Sequence, residues 1–391
     1  MREISGCVGH LTPLEQRKLQ QAWVYLIRLG PSSASKPLIE GNLLDTPENS
    51  REFMRHLNPT TLGDFSKFLW RCICIEHPDA LVLRFLHARK WDVEKGVAML
   101  VSAVSWRQET RIEEDIVQQG EAVGLKKSPS PEEKGFIDQY RTGKSFVRGV
   151  DREGRPVFTV KVRLHDPHKQ PSKSLEMYIL HTFESIRMLV KPSSDKACII
   201  FDMTGFGLRN VDLHVFKFLT TVFEARYPET LGVVLIHNAP FVFWGVWKAV
   251  KGWMDPVVAN KIHFTRTKDD LERFTTTENL SSELGGDDVW EYKYIDPIPG
   301  ENDRMDQVEE RDMIHGERDK LAFEFERLTL EWIAYDPLSD AAKEKQALRD
   351  RVADELRQNY WRLDPYLRAR NYYHRVGVVD EDGRVDFQAA A

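Results

Sequence analysis

Gly143, Lys144 and Ser145 have the residue types and order that end a phosphate-binding loop. In such a loop, backbone amides and the lysine hold the phosphates of a nucleotide. The motif also requires a glycine five residues before Gly143, and this chain has Asp138 there. We therefore predict no nucleotide site at this position.

Two other patterns could hold a cofactor or a metal. Gly205 and Gly207 follow an apolar run, as in the dinucleotide-binding fingerprint, but Asn210 replaces its third glycine, so the pair predicts a tight turn. His165 and His168 lie close together without a further local ligand, which favours an exposed turn over a metal site. We expect neither cofactor nor metal.

The sequence also lacks a convincing set of catalytic groups. No nucleophile elbow of the glycine-x-serine-x-glycine type is present. The four cysteines, at positions 7, 72, 74 and 198, have neither zinc-site spacing nor a disulfide framework, and free thiols in a reducing compartment are expected. An enzyme is therefore the least favoured class of protein, because no nucleophile, base or metal set is evident.

One stretch, residues 227 to 261, combines a buried strand, an aromatic helix and a cation. The apolar run from Val233 to Ile236 predicts a strand covered on both faces, and it leads into the aromatic segment from Phe241 to Lys251. Lys261 ends the stretch. This order suggests a sheet that is followed by a movable hydrophobic wall, as a protein that handles lipids would need.

Length and composition set the broad class. The chain has 391 residues, a formal net charge of −6 and 30% charged residues, which is typical of a globular protein of two or three domains. No basic domain indicates nucleic-acid binding, and no apolar run approaches the roughly 18 residues of a membrane span. We expect a cytoplasmic protein that meets membranes only from the surface.

Helical periodicity dominates both ends of the chain. The first helix is predicted from Leu14 to Leu29, capped by Thr12, and a connector follows from 31 to 60. Two helices of a helical lobe follow, from Asp79 to Arg89 and from Trp91 to Trp106, with Asp92 as a cap. Beyond Pro299 lies a charged helical region, with a second helix around 347 to 356.

The middle of the chain alternates between strand and helix patterns, which predicts an α/β fold with a mainly parallel sheet covered by helices. Strands are expected at 156–162, 198–201, 232–238 and 261–266, with helices at 211–226, at 241–251 and after a cap at Ser174. Four regions follow from these patterns: an N-terminal helix and connector (1–60), a helical lobe (61–130), a central α/β domain (131–295) and a charged helical extension (296–391).

Several motifs, taken in order, resemble the CRAL-TRIO (Sec14-like) lipid-binding family. Leu-Arg-Phe-Leu-His-Ala-Arg-Lys-Trp-Asp-Val (83–93) is similar to the signature of its helical lobe. Asp-Arg-Glu-Gly-Arg-Pro-Val, Tyr-Pro-Glu-x-Leu-Gly, Asn-Ala-Pro, Asp-Pro and Leu-Gly-Gly then follow in the family's order and spacing, over roughly residues 75 to 292. Five ordered elements are far more specific than any single motif. The charged tail resembles fungal homologues of the Csr1 type.

The resemblance implies a hydrophobic cavity between the sheet and a mobile helix, with one lipid inside. In the aromatic segment Phe243, Val246, Trp247 and Val250 share one helical face, while the basic residues lie off it. Such a helix can line a cavity when closed and touch anionic membrane when open. The alternative is a plain core helix. The predicted cavity and gate residues are Phe241, Phe243, Val246, Trp247, Val250, Trp253, Met254, Val258, Ala197 and Ile199, with Tyr178, His181 and Phe183 on a cavity-side helix.

Some headgroup positions match the family's residue types, and others depart from them. In family members that bind phosphatidylinositol, an arginine, a glutamate and a lysine hold the inositol end, and Arg89, Glu229 and Lys261 match them. Glu229 and Lys261 could equally form a structural ion pair, and Arg89 could equally serve to join the lobe to the main domain. The family's hydroxyl-bearing residues, by contrast, are replaced by hydrocarbon, at Val258, Ala197 and Ile199. A buried phosphate without donors is costly, so a less polar cargo, such as a sterol, squalene or acyl lipid, is favoured over phosphatidylinositol.

The sequence thus predicts a lipid-binding and lipid-transfer protein, with a phospholipid or apolar lipid as ligand and a membrane surface as a transient partner. Two alternatives remain open. One is a lipid-sensing regulatory scaffold that engages a protein partner through the C-terminal extension. The other is a carrier of haem or another hydrophobic cofactor, with Tyr178 or His181 as the ligand.

Overall fold

The computed structural model describes residues 6–29, 65–191 and 196–389. The predicted connector, residues 31 to 60, lies outside the described residues. The chain divides into two compact units, residues 1–111 with 307–364 and residues 112–306 with 365–391. Both units therefore take up part of the C-terminal region that the sequence suggested as a separate extension.

The first unit is helical. Its helices are Pro13–Arg28, Phe65–Cys72, Pro78–Ala88, Val93–Glu109 and Val308–Ile333, together with Asp340–Leu367 up to residue 364. Thr12 and Glu15 form a capping box ahead of Pro13, and Asp92 caps the helix from Val93, as predicted. The second C-terminal helix is much longer than the predicted 347–356.

The core of the first unit joins its N-terminal and C-terminal segments. Trp23 and Phe325 pack with ring centroids 5.5 Å apart, and Trp332 is fully buried in the same cluster. The helix Val308–Ile333 is thus part of this core. Its apolar positions, including Phe325 and Leu328, are covered by residues from the beginning of the chain.

The second unit contains a five-stranded sheet in the order β1 (Ser145–Val150), β2 (Pro156–Lys161), β3 (Ala197–Asp202), β4 (Leu231–His237) and β5 (Ile262–Thr265). β1 and β2 are antiparallel, and every other neighbouring pair is parallel. The mainly parallel sheet is therefore confirmed. Apolar runs such as Val233 to Ile236 form its strands because both faces of the sheet are covered.

Helices and short segments surround the sheet. The helices are Pro131–Arg141, Ser172–Arg187, Leu213–Ala225, Phe243–Lys251, Pro256–Ala259, Lys268–Glu272 and Tyr372–Arg375. The π-helical segment Ile112–Gln118 and several single turns complete the described part of this unit. We call Leu213–Ala225 the wall helix and Phe243–Lys251 the mouth helix. The mouth helix begins two residues later than predicted, and Phe241 lies before it.

The predicted cap at Ser174 is wrong. The helix begins at Ser172, with Pro171 before it and no side-chain cap. Ser174 is buried in the first turn, and its hydroxyl donates to the carbonyl oxygen of Glu132 at 2.8 Å. A tertiary contact thus uses the group that the sequence pattern assigned to a local cap.

Backbone conformation and close packing require both glycines of the Leu-Gly-Gly motif. Gly285 has a φ of +81°, in the left-handed region that favours glycine. A Cβ on Gly286 would lie 2.0 Å from the carbonyl oxygen of Leu280. The two glycines let the 280–286 segment fold tightly where Leu280 and Leu284 cover one face of the sheet.

Candidate functional site

The two faces of the sheet have different neighbours. Cys198 and Ile200 of β3 point into a solid cluster with Val233 and Leu235 of β4 and the 271–284 segment. Successive side chains of a strand point to opposite faces of the sheet. The residues between those just named, such as Ile199 of β3, therefore point to the opposite face. That opposite face borders a cavity of about 270 Å³.

This cavity is large compared with a water site, since one water needs roughly 10–15 Å³ by a comparable measure. The sheet and four helices of the second unit surround it. Apolar side chains from the strands include Phe158, Val160, Ile199, Phe201, Val234, Ile236 and Ile262, and those from the helices include Leu175, Ile179, Phe183, Val215, Phe216, Leu219 and Phe223. The arrangement can take up a hydrocarbon ligand.

Most residues of the predicted wall do line this cavity. Phe243, Val246 and Trp247 reach it from the mouth helix, and Met254 and Val258 reach it from the segment that follows. The rings of Phe243 and Trp247 stack at 6.2 Å. The aromatic stripe that periodicity picked out is therefore a cavity wall rather than part of a solid core.

Four predicted cavity residues are not among the described residues that line it. Phe241 is 92% exposed and Trp253 is 48% exposed, so both face outward, whereas Val250, within the mouth helix, is fully buried. Ala197 is buried at the start of β3. It would share a face with Ile199 by strict alternation, but the pairing of β3 with β4 is irregular between Ala197 and Cys198.

Tyr178 and His181 of the helix Ser172–Arg187 have different surroundings. Tyr178 lines the cavity, together with Phe183. His181 is buried among other residues, with its Nδ1 2.6 Å from the hydroxyl of Tyr140 and the ring of Phe136 packed edge-on at 5.4 Å. Burial lowers the pKa of His181 to about 3, so it is neutral at physiological pH. Its position gives no support to a ligand role for His181 in the cavity.

Glu229 and Lys261, the predicted headgroup residues, form an ion pair. Lys261 Nζ donates to Glu229 Oε2 at 3.2 Å, and both side chains are about one-fifth exposed. Glu229 has a φ of +59°, an unfavourable backbone region for a residue other than glycine. Neither residue is among the described cavity-lining residues. Arg89 is exposed at the end of the helix Pro78–Ala88 and belongs to the first unit.

The cavity has a polar corner that sequence reasoning missed. Lys144 is buried, and its Nζ lies 3.4 Å from His165 Nδ1 and hydrogen-bonds to Gln139 Oε1. His165 Nε2 lies 3.1 Å from Asp212 Oδ2. Lys144, His165 and Asp212 all line the cavity. The exposed turn predicted for His165 is therefore wrong, because this carboxylate and this lysine enclose its ring.

Two hydroxyl groups complete the corner. Ser145 Oγ and the Tyr178 hydroxyl form a hydrogen bond, and Lys144 Nζ lies 5.1 Å from the centroid of the Tyr178 ring. Asn210 also lines the cavity and donates to the carbonyl oxygen of His165 at 2.7 Å. We call Lys144, Ser145, His165, Tyr178 and Asp212 the polar corner.

Burial sets the protonation of the polar corner. Removal from water lowers the pKa of Lys144 to about 7, partly opposed by the charge of Asp212. Burial also lowers the pKa of His165, with a further contribution from Lys144. A neutral His165 can accept from Lys144 at Nδ1 and donate to Asp212 from Nε2, so both nitrogens of its ring are paired. Within the described residues, no group of three or more potential metal ligands occurs.

Comparison with known proteins agrees with this architecture. The family model of the CRAL/TRIO domain matches residues 140–286, and that of the CRAL/TRIO N-terminal domain matches residues 50–102. The chain belongs to the CRAL/TRIO family. Of the helices in the described ranges, none is long and apolar enough to cross a membrane.

Several fungal proteins are similar over most of this chain. A CRAL-TRIO domain-containing protein of Schizosaccharomyces pombe is 36% identical over 79% of this chain and 68% of its own length. The phosphatidylinositol transfer protein CSR1 of Eremothecium gossypii is 37% identical over 85% of this chain and 74% of its own length. The Sec14 cytosolic factor of Schizosaccharomyces pombe is 26% identical over 53% of this chain and 74% of its own length.

Proposed function

We propose that this protein binds one lipid in the cavity of its second unit and transfers it between membranes. The observation that carries the proposal is the cavity itself, which is lined by hydrocarbon on the sheet side and by an aromatic helix on the other. A relative that is named a phosphatidylinositol transfer protein supports the same class of function. Transfer by partitioning requires no covalent step, so no catalytic activity is proposed.

The outer surface near the mouth helix suits contact with a membrane. Phe241, Trp244 and Trp253 are exposed there, and Trp244 packs against the half-exposed Phe264 with ring centroids 4.7 Å apart. Lys248 and Lys251 are exposed on the same helix. Aromatic rings favour the membrane interface, and lysines are attracted by anionic headgroups. We propose that this surface docks on the bilayer and that displacement of the mouth helix opens the cavity.

The cargo we propose is less polar than phosphatidylinositol. Ile199 and Val258 line the cavity, and both offer only hydrocarbon. The family resemblance implies hydroxyl-bearing residues at these two positions in members that bind phospholipid. A phosphate placed beside them would lose hydrogen bonds to water without replacement, which is strongly unfavourable. Squalene, or the hydrocarbon part of a sterol or an acyl lipid, would lose none at these positions.

A transfer assay tests this function. Donor vesicles would contain phosphatidylinositol, ergosterol or squalene in separate experiments, and lipid reaching acceptor vesicles would be measured by mass spectrometry. We expect transfer of at least one of the less polar lipids, with phosphatidylinositol transferred more slowly. No transfer of any of the three, together with no lipid bound to the purified protein, would contradict the proposal.

A blocked variant ties transfer to the cavity. Ile199→Trp fills space beside the sheet and should reduce transfer at least tenfold while vesicle binding persists. Val289→Trp is a matched control, since Val289 is 81% exposed. Equal transfer by both variants would indicate that the cavity is not the carrier site.

A further inference from the structure

The polar corner has no role in the transfer mechanism described above, although it contains a buried lysine, a partly buried histidine and a carboxylate. Its residues come from four segments, and three of these meet at one edge of the sheet. Lys144 precedes β1, His165 follows β2, and Asp212 caps the wall helix through Val215 N. The carboxyl-end edge of a parallel sheet is where α/β proteins commonly bind ligands.

Lys144 retains a free donor for a ligand. Among the described residues, two acceptors contact its Nζ, Gln139 Oε1 and His165 Nδ1. An ammonium group has three N–H donors. The face of the Tyr178 ring lies 5.1 Å from Nζ and is only a weak acceptor. Because Lys144 lines the cavity and is 5% exposed, a full hydrogen bond from its remaining donor requires an acceptor inside the cavity. A ligand oxygen there would satisfy a buried donor that hydrocarbon cannot.

The charges of the polar corner indicate which oxygen fits. Lys144 and Asp212 are of opposite sign and are linked through His165, whose pKa is lowered by burial and which is therefore neutral. The corner carries no net positive charge when Lys144 is protonated, and a net negative charge when it is not. An anionic head would enter without a compensating charge, which is unfavourable in an apolar cavity. An uncharged hydroxyl or carbonyl group requires no such compensation.

We propose that the polar corner holds the single uncharged oxygen head, hydroxyl or carbonyl, of an otherwise apolar lipid. The inference rests on the proposed lipid-binding function and specifies its ligand class. Lys144 Nζ donates to the ligand oxygen, the Tyr178 and Ser145 hydroxyls lie beside it, and the hydrocarbon part extends along the sheet. A headless hydrocarbon would leave the Lys144 donor unpaired, and a fatty acid would add an unmatched charge.

Three probes with the same chain test the proposal: 1-octadecanol, octadecane and octadecanoic acid. Each is supplied in phosphatidylcholine vesicles, the full-length protein is separated from the vesicles by gel filtration, and the retained probe is measured by mass spectrometry. We expect the alcohol to be retained about three- to tenfold more than the alkane, the range set by one net hydrogen bond. The acid should be retained less than the alcohol.

Two variants locate the effect at the polar corner. Methionine is similar to lysine in length but apolar. Lys144→Met should therefore lower the retention of the alcohol to that of the alkane and leave the retention of the alkane unchanged. Alkane retention also shows that the cavity is still folded. Lys173→Met, an exposed lysine on the helix Ser172–Arg187, is the matched control. Asp212→Asn keeps a capping side chain but removes the negative charge, so it should raise retention of the acid relative to the alcohol.

The outcomes separate this proposal from the function on which it rests. Equal retention of alcohol and alkane by the wild type, or a preference that survives Lys144→Met, would overturn the subsite while lipid binding stands. Stronger retention of the acid by the wild type would overturn the uncharged head. Retention of none of the three, with no other lipid bound, would instead overturn the proposed lipid-binding function.

Discussion

Asp79 and Arg349 form a buried ion pair, although 270 residues separate them in the chain. Arg349 Nη2 lies 2.5 Å from Asp79 Oδ1, and both side chains are at most 2% exposed. Asp79 also accepts from Trp23 Nε1 at 2.7 Å, and the Arg349 guanidinium lies 4.2 Å from the Trp332 ring. This pair connects a helix of the N-terminal lobe to the C-terminal helical region within the first unit.

Arg349→Met should destabilise the first unit by about 3–5 kcal/mol, because it leaves the Asp79 carboxylate buried without its counter-charge. Urea unfolding, followed by fluorescence, would measure the change in the free energy of unfolding. Arg351→Met changes an exposed arginine of the same helix and serves as the control. A loss no larger than that of the control would show that the pair contributes little.

The same contacts bear on a regulatory role for the C-terminal region. Phe325 and Trp332 belong to the core of the first unit, while Arg375 forms a buried ion pair with Glu121 in the second. Deleting residues 299 to 391 would therefore remove core side chains from both units. A scaffold function of this region is better tested by substitutions at exposed positions, such as Phe323, than by truncation.

Lys144 should titrate near pH 7 in the ligand-free protein. Its pKa is lowered from 10.5 to about 7 because burial disfavours the charged form. In protein labelled with ¹³C at lysine Cε, one resonance should titrate near neutrality and be missing from Lys144→Met. Titration of every lysine resonance above pH 9 would contradict the burial of this side chain in solution.

The stability of the protein should reflect the same shift. Between pH 7 and 10.5 the unfolded chain keeps a proton on Lys144 that the folded chain releases. The free-energy cost of burying this group therefore falls as pH rises. Lys144→Met lacks the effect. The free energy of unfolding of Lys144→Met should exceed that of the wild type most near pH 7. This difference should shrink by at most ~1.4 kcal/mol per pH unit toward pH 10.5. Urea unfolding of both proteins at pH 7.5 and 9 measures this difference.

Membrane docking should depend on the exposed aromatic residues around the mouth helix. Phe241→Asp combined with Trp253→Asp removes apolar surface and adds negative charge where the anionic bilayer is expected. We expect sedimentation with anionic vesicles to fall at least tenfold, with the cavity preserved because neither residue lines it. Val289→Asp, an exposed apolar residue elsewhere, should bind vesicles like the wild type. Undiminished binding of the double variant would place the docking surface elsewhere.

The sequence predicted the elements whose signals are local. Capping residues and apolar periodicity located the helices Pro13–Arg28 and Val93–Glu109, and apolar runs located β3 and β4 to within a residue or two. Ser174 failed as a cap because its hydroxyl bonds to Glu132, 42 residues away. No local pattern contains that contact.

The sequence predicted the apolar wall of the cavity but not the polar corner. The mouth-helix residues share one helical face, and that periodicity is visible in the sequence. Lys144, His165 and Asp212 come from three separate loops, and each has an ordinary interpretation when considered alone. Their common signal is topological: all three lie beside the ends of strands that meet at one edge. The sheet order was needed to see it.

The hydrocarbon at Ile199 and Val258 should be what discriminates against phospholipid cargo. Both residues line the cavity, so hydroxyl groups placed there would face the ligand. Ile199→Thr combined with Val258→Thr supplies two donors, each worth about 1 kcal/mol when paired, and should raise phosphatidylinositol binding about tenfold or more. Lipid mass spectrometry of protein equilibrated with mixed vesicles measures the ratio of phosphatidylinositol to less polar lipid. Ala197→Ser is the control, because Ala197 is buried but is not among the described lining residues. An unchanged ratio in the double variant would mean that these two positions do not set the cargo.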